Sequence, residues 1–168
     1  GTYGVIYKGG SPFIHDFNYG NNGTVTTVGY NTFVGINAGN FTMGSTATQA
    51  YHASYNTAVG YQSLSSNTTG NNNTAIGSFS LSSNTTGNNN TAIGLESLYS
   101  NTTGYQNTAL GSYSLYSNTT GYNNTSLGVN SLYSNTTGYN NTAVGYYSLL
   151  SNTTGHHNTA LGLGSLSS

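Results

Sequence analysis

Residues 114–128 read SLYSNTTGYNNTSLG and residues 131–145 read SLYSNTTGYNNTAVG: two near-copies, seventeen residues apart, with no charged side chain in either. Aligning the chain on Asn-Thr followed by a small residue gives starts at Asn56, Asn73, Asn90, Asn107, Asn124, Asn141 and Asn158, and every interval is seventeen. The last copy runs eleven positions to Ser168. A looser copy, NTFVG at 31–35, precedes the series by 25 residues, as if eight had been inserted around GSTATQAYHAS.

With the aligned Asn as position 1, position 4 is always aliphatic: Val59, Ile76, Ile93, Leu110, Leu127, Val144 and Leu161. Position 9 is always Leu: Leu64, Leu81, Leu98, Leu115, Leu132, Leu149 and Leu166. Position 5 is always Gly and positions 11–15 are always SNTTG, whereas positions 6 and 7 drift as an outward surface does. A composition dominated by Gly, Asn, Ser and Thr reads by itself as disorder. Disorder, however, does not hold an aliphatic side chain in register over seven copies.

A fixed period near 20 marks a solenoid, in which each coil stacks on the one before. Helical coils are excluded because two glycines and SNTTG leave no run of helix formers. The expected fold is an all-β parallel β-solenoid or β-roll with two short strands per coil, NTA(V/I/L)G and SL(Y/S)S. The SNTTG turn joins them, its Gly supplying a positive φ, and Gly at position 5 makes another corner. Positions 4 and 9 are expected to form the core, usually with one Ala from each coil. Stacking aligns identical residues, so Asn67, Asn84, Asn101, Asn118, Asn135 and Asn152 at position 12 are expected to form an amide ladder.

The 168 residues carry three charged side chains, Lys8, Asp16 and Glu96. With no basic stripe, nucleic-acid binding is disfavoured. There is no cysteine, and no apolar run approaches the roughly 20 residues that span a bilayer. An opening Gly without a signal-peptide pattern reads as a processed or excised piece of a longer protein. So thin a repeat favours association of the chain with itself, as a homotrimer or a head-to-tail filament.

The unit NTAVGYxSL followed by SNTTG resembles the repeats of bacterial and phage tail-fibre-domain proteins, over residues 31–168. The opening VIYKGG and FIHDF resemble the leader of the same proteins. The AVG or AIG core with a following Ser is also similar to the head repeats of trimeric autotransporter adhesins, whose chains form a left-handed parallel β-roll with a shorter period. The resemblance implies a structural fibre segment on a cell surface or virion, extracellular and presenting a surface for attachment.

Catalytic sets are not supported. Asp16 and Glu96 lie far apart in the chain, the neighbouring His15-Asp16 side chains point apart in a strand, and the glycines follow the coil period rather than opening a helix. No enzyme, cofactor or metal is expected. His156-His157 replaces Tyr-Asn as a surface substitution, although a trimer would gather such imidazoles into a metal-capable ring.

Three features bear on recognition. Tyr99, Tyr116 and Tyr133 form one column and Tyr105, Tyr122 and Tyr139 another, continued by His156. Such columns suit sugar stacking, or serve only as ladders that stabilise the sheet. N-x-T sequons at Asn67, Asn84, Asn101, Asn118, Asn135 and Asn152, and at Asn22, Asn40, Asn72, Asn89, Asn123 and Asn140, offer a regular sugar coat, though turn chemistry alone also explains them. Threonines at positions 2, 13 and 14 suggest an ice-binding array, but are expected at corners rather than on a flat face.

The resulting organisation is a capping or joining region at 1–55, with a degenerate first coil at 31–55, and a repeat solenoid at 56–168. The loop 43–54 and Phe13, Phe17, Tyr19, Phe33 and Phe41 finish one end. A fibre segment that binds glycans, a self-assembling filament and an ice-binding solenoid are the three functional readings.

Overall fold

In each repeat the chain has room for one short extended segment before Gly at position 5 turns it. That segment is the strand. A computed structural model of the chain describes residues 6–15 and 21–168. Asp16, Phe17 and Tyr19, and the side chains of Lys8, Phe13 and His15, lie outside the described residues, and with them the His15-Asp16 pair and part of the expected aromatic end.

The strands are β1 (Ile6–Lys8), β2 (Ser11–His15), β3 (Thr32–Val34), β4 (Thr57–Val59), β5 (Thr74–Ile76), β6 (Thr91–Ile93), β7 (Thr108–Leu110), β8 (Thr125–Leu127), β9 (Thr142–Val144) and β10 (Thr159–Leu161). They form one ten-stranded sheet in chain order. β1 and β2 are antiparallel to each other, and β2 is antiparallel to β3. From β3 to β10 every pair is parallel and in register, Thr on Thr and Val59 on Ile76. The chain is an all-β parallel β-solenoid of about six turns with seventeen-residue coils and no helix among the described residues.

Two expectations need correction. Each coil has one strand, because SL(Y/S)S is a turn. Position 9 Leu has φ between 49° and 53°, and position 7 between 52° and 59°, a left-handed conformation at alternate residues that cannot make a pleat. Neighbouring coils still bond there: Leu98 N–H donates to Ser114 O at 3.0 Å and Ser100 N–H to Tyr116 O at 3.0 Å.

The second correction concerns the core. Position 9 Leu is buried from Leu64 to Leu149, but position 4 points outward: Ile76 is 38% exposed, Leu110 47% and Leu161 77%, and Val59, Ile93, Leu127 and Val144 are half-buried. Position 3 faces inward instead, as Ala58, Ala75, Ala92, Ala109, Ser126, Ala143 and Ala160. Adjacent residues of a strand face opposite sides, and the interior is too narrow for the larger of the two.

The space is filled by asparagine. Position 12 forms a ladder: Asn101 Nδ2 donates to Asn84 Oδ1 at 2.8 Å and to Gly104 O at 3.1 Å, and its Oδ1 accepts from Asn118 Nδ2 at 2.8 Å. Position 1 forms a second. Asn90 Nδ2 donates to Asn73 Oδ1 at 3.2 Å and to Gly104 O at 2.8 Å, while its Oδ1 accepts Asn107 N–H at 3.0 Å and Asn107 Nδ2 at 3.2 Å. Every hydrogen-bonding site of that amide is used. The Gly104 carbonyl takes one bond from each ladder, so it must point inward.

This fixes glycine at position 15 for a reason other than the expected positive φ. Gly104 is not in the left-handed region, but a Cβ on it would overlap Asn101 Oδ1 and the Gly121 carbonyl of the next coil. At position 5, both conditions hold: φ is 133–140° from Gly60 to Gly145, and a Cβ would meet the next glycine's backbone.

At the N-terminal end the 25-residue coil encloses a wider interior, filled by Phe33 in place of Ala and by Met43, both buried. Asn67 Nδ2 reaches Met43 Sδ at 3.7 Å, and Asn31 Oδ1 accepts Asn56 N–H at 2.8 Å, so this coil closes both ladders. Asn22 Nδ2 pins the loop through Gly44 O, Ser45 O and Ala47 O at 3.3, 3.2 and 2.9 Å. Phe41 remains partly exposed.

Candidate interaction surfaces

With the coil interior filled by Leu, Ala and the two asparagine ladders, the candidate surfaces are the faces, where stacking turns each outward position into a column. The first face is the sheet. Thr at position 2 lies on the strand and not at a corner, so the outward side carries a Thr column beside the position-4 aliphatic column. Past Gly at position 5, the exposed Tyr61, Leu95, Val129, Tyr146 and Leu163 of position 6 extend the apolar strip. Seven parallel spacings from β3 to β10 make it about 34 Å long.

The second face carries position 10. Tyr99 and Tyr116 stack with ring centroids 5.2 Å apart and planes at 6°, and Tyr116 and Tyr133 at 5.1 Å and 3°. Phe79 meets Tyr99 edge-on at 6.4 Å, and Leu150 ends the aromatic run. Burial, and after it the charges of Glu96, Tyr133, Tyr99 and Tyr113, raise the Tyr116 phenol above its ordinary 10.0.

Position 16 makes a third column: Tyr105 on Tyr122 at 4.9 Å, Tyr122 on Tyr139 at 4.9 Å, and Tyr139 on His156 at 4.7 Å. Stacking covers the flat faces within both tyrosine columns and leaves ring edges outward. A sugar that needs a ring face therefore finds one only where a column is interrupted.

His156 Nδ1 lies 2.8 Å from His157 Nδ1, and His157 Nε2 3.1 Å from Asn140 Nδ2. No group of three or more metal-ligating side chains occurs among the described residues. No helix of the described residues is long and apolar enough to cross a membrane.

The sequons divide by burial. Asn67, Asn84, Asn101, Asn118 and Asn135 are fully buried with their amide nitrogens in the ladder, so a folded coil cannot present them to a glycosyl transferase; Asn152 is half-buried in the same bonds. Asn72, Asn89, Asn123 and Asn140 at position 17 are exposed. Position 13 hydroxyls are also engaged, Thr102 Oγ1 donating to Thr119 O at 3.2 Å, while Thr86, Thr103, Thr120 and Thr137 of position 14 are exposed.

Sequence reading missed the position-1 ladder and placed the position-4 aliphatic inside beside the Ala. The strand's facing left a signal: position 3 is never larger than Ser, whereas position 4 drifts among Val, Ile and Leu. Comparison with protein-family models, with curated proteins and with solved structures gives no match.

Proposed function

We propose that the chain is a non-enzymatic segment of an extracellular fibre, of the cell-surface or virion kind, whose rods associate side by side with further copies of themselves. The observation that carries this reading is the position-4 column. It is aliphatic in all seven repeats and outward in all of them, in a chain with 2% charged residues. A residue class held constant inside a coil answers to packing in that coil; held constant outside it, it answers to something that covers it. A second copy has the same coil rise, so its own strip stays in register over the whole length. Isologous or three-fold closure then buries the strip.

Light scattering tests this. The expected mass is a multiple of 17.4 kDa, and Leu110→Lys with Leu127→Lys reduces it to the single chain without changing the far-ultraviolet spectrum. A single-chain mass for the unaltered protein at every concentration overturns the lateral reading.

A second reading has its own support, the Thr column on the flat strand face. Uncharged hydroxyls and methyls repeating every ~4.8 Å are suited to ordering water into ice. Because this is the same face, the two readings are opposed: ice binding requires the strip open, and predicts thermal hysteresis from single chains that Thr108→Lys abolishes.

A further inference from the structure

We infer that the groove between Tyr113 and Tyr147 is a binding site for one or two units of a neutral oligosaccharide. This names the ligand class for the attachment role of the fibre and rests on that reading. Tyr113 and Tyr147 both occupy position 7, two coils apart, and the residue between them is Asn130. Two strand spacings separate equivalent backbone atoms by about 9.6 Å. Where neighbouring coils carry tyrosine at one position, as Tyr116 and Tyr133 do, rings stack on one another at 5.1 Å. At Asn130 one ring is missing, and the gap is about one pyranose thick.

The groove's inner wall has the same character. Tyr133 is the last ring of its column, because Leu150 replaces tyrosine in the next coil. Its far face is therefore not covered by a further ring of that column. Together with Ser134, Leu150 and Ser151 these residues line an open groove of about 500 Å³. That volume falls within the roughly 300–1,000 Å³ of small-molecule sites.

The chemistry selects the occupant. Aromatic faces take the C–H side of a pyranose, and the Asn130 amide offers both a donor and an acceptor to vicinal hydroxyls. No lining residue carries a formal charge at neutral pH; Glu96 holds position 7 in the coil preceding Tyr113 and stands outside the lining. A neutral sugar fits this lining, whereas an anionic one would find no cation in it.

The test titrates the full chain by heteronuclear NMR with maltohexaose, cellohexaose and chitohexaose, and with sialyllactose as the anionic comparator. At least one neutral hexasaccharide is expected to shift the amides of Asn130 and Ser134. Tyr147→Ala and Asn130→Ala each weaken it about tenfold, as loss of a stacking or hydrogen-bonding partner does. Tyr105→Ala, in the other column, leaves affinity unchanged. Light scattering on the same variants keeps the two readings apart, since Tyr147→Ala and Asn130→Ala are expected to retain the assembled mass. No shift with any neutral sugar, equal affinity in the groove variants, or preference for sialyllactose each overturns the proposal, whatever the mass.

Discussion

At the residue scale, the stability of this chain turns on amides. Asn101, fully buried, makes two donations and one acceptance. Replacing it by Leu leaves Asn84 Oδ1 without its partner and strips one bond each from Asn118 and Gly104. Orphaned buried polar groups cost about 1–3 kcal/mol each, so Asn101→Leu is expected to lower the unfolding free energy by about 3 kcal/mol in urea titrations. The ladder at position 12 was legible because Asn never varies there, and stacked identical amides have one obvious use. The ladder at position 1 was hidden by its neighbour: Asn-Thr also reads as turn chemistry, and only in the folded chain does the Asn side chain cross to the Gly carbonyl fourteen residues on. Position 17 shows the opposite, a local constraint without burial. Its φ is 54–60°, and asparagine, which tolerates that region best after glycine, fills it in four of six coils. Gln106 with φ 55° and His157 with φ 60°, both exposed, are the exceptions. Gln106→Asn is expected to raise stability by about 0.5 kcal/mol, relieving part of the ~1–2 kcal/mol cost of that conformation.

At the scale of the strand, what failed in the sequence reading was placing the aliphatic inside together with the Ala before it. Period-2 alternation says that Ala109 and Leu110 face opposite ways, but not which faces in, and hydrophobicity favours the wrong one. Pore width decides, since Leu115 and two Asn columns leave room for a methyl only. Leu at position 9, with no competitor beside it, was placed inward by the same reasoning. Ala109→Leu is therefore expected to destabilise by about 3 kcal/mol through overpacking, whereas Leu110→Ala changes single-chain stability by less than about 0.5 kcal/mol. Ser126 supports this picture. As the one hydroxyl in the Ala column, it is bonded by Ser114 Oγ at 2.8 Å and paired with Ser131 Oγ. The tyrosine ladder gives a pH signature. With its folded phenol raised above 10.0, Tyr116 keeps its proton longer in the folded chain than in the unfolded one. The contribution is complete below the unfolded value and is lost as pH rises through the folded one. Melting curves at about pH 9 and pH 11 should show a larger fall for the native chain than for Tyr116→Phe.

At the scale of the whole molecule, coils interact only with their neighbours, which is why the fold class was legible from the interval of seventeen once glycine and SNTTG had excluded helical coils. The outward aliphatic strip was not, because the position-4 column was read as interior. Nearest-neighbour stability predicts that a complete coil is expendable. Deleting residues 107–123 is expected to leave a folded rod one strand spacing shorter, about 4.8 Å, as measured by small-angle scattering. Deleting residues 107–114 brings unlike positions into stack and abolishes cooperative unfolding.

In both asparagine ladders each Nδ2 donates toward the preceding coil and each Oδ1 accepts from the following one. The side-chain amide dipoles thus align head to tail, N–H toward the N-terminal end and C=O toward the C-terminal end. Two parallel lines of such dipoles act as a helix macrodipole does, leaving partial positive charge at one end of the rod and partial negative charge at the other. Rods joined end to end meet unlike poles only when all run the same way, so a filament built from this chain has a direction, and its two tips differ electrically although almost no side chain is charged.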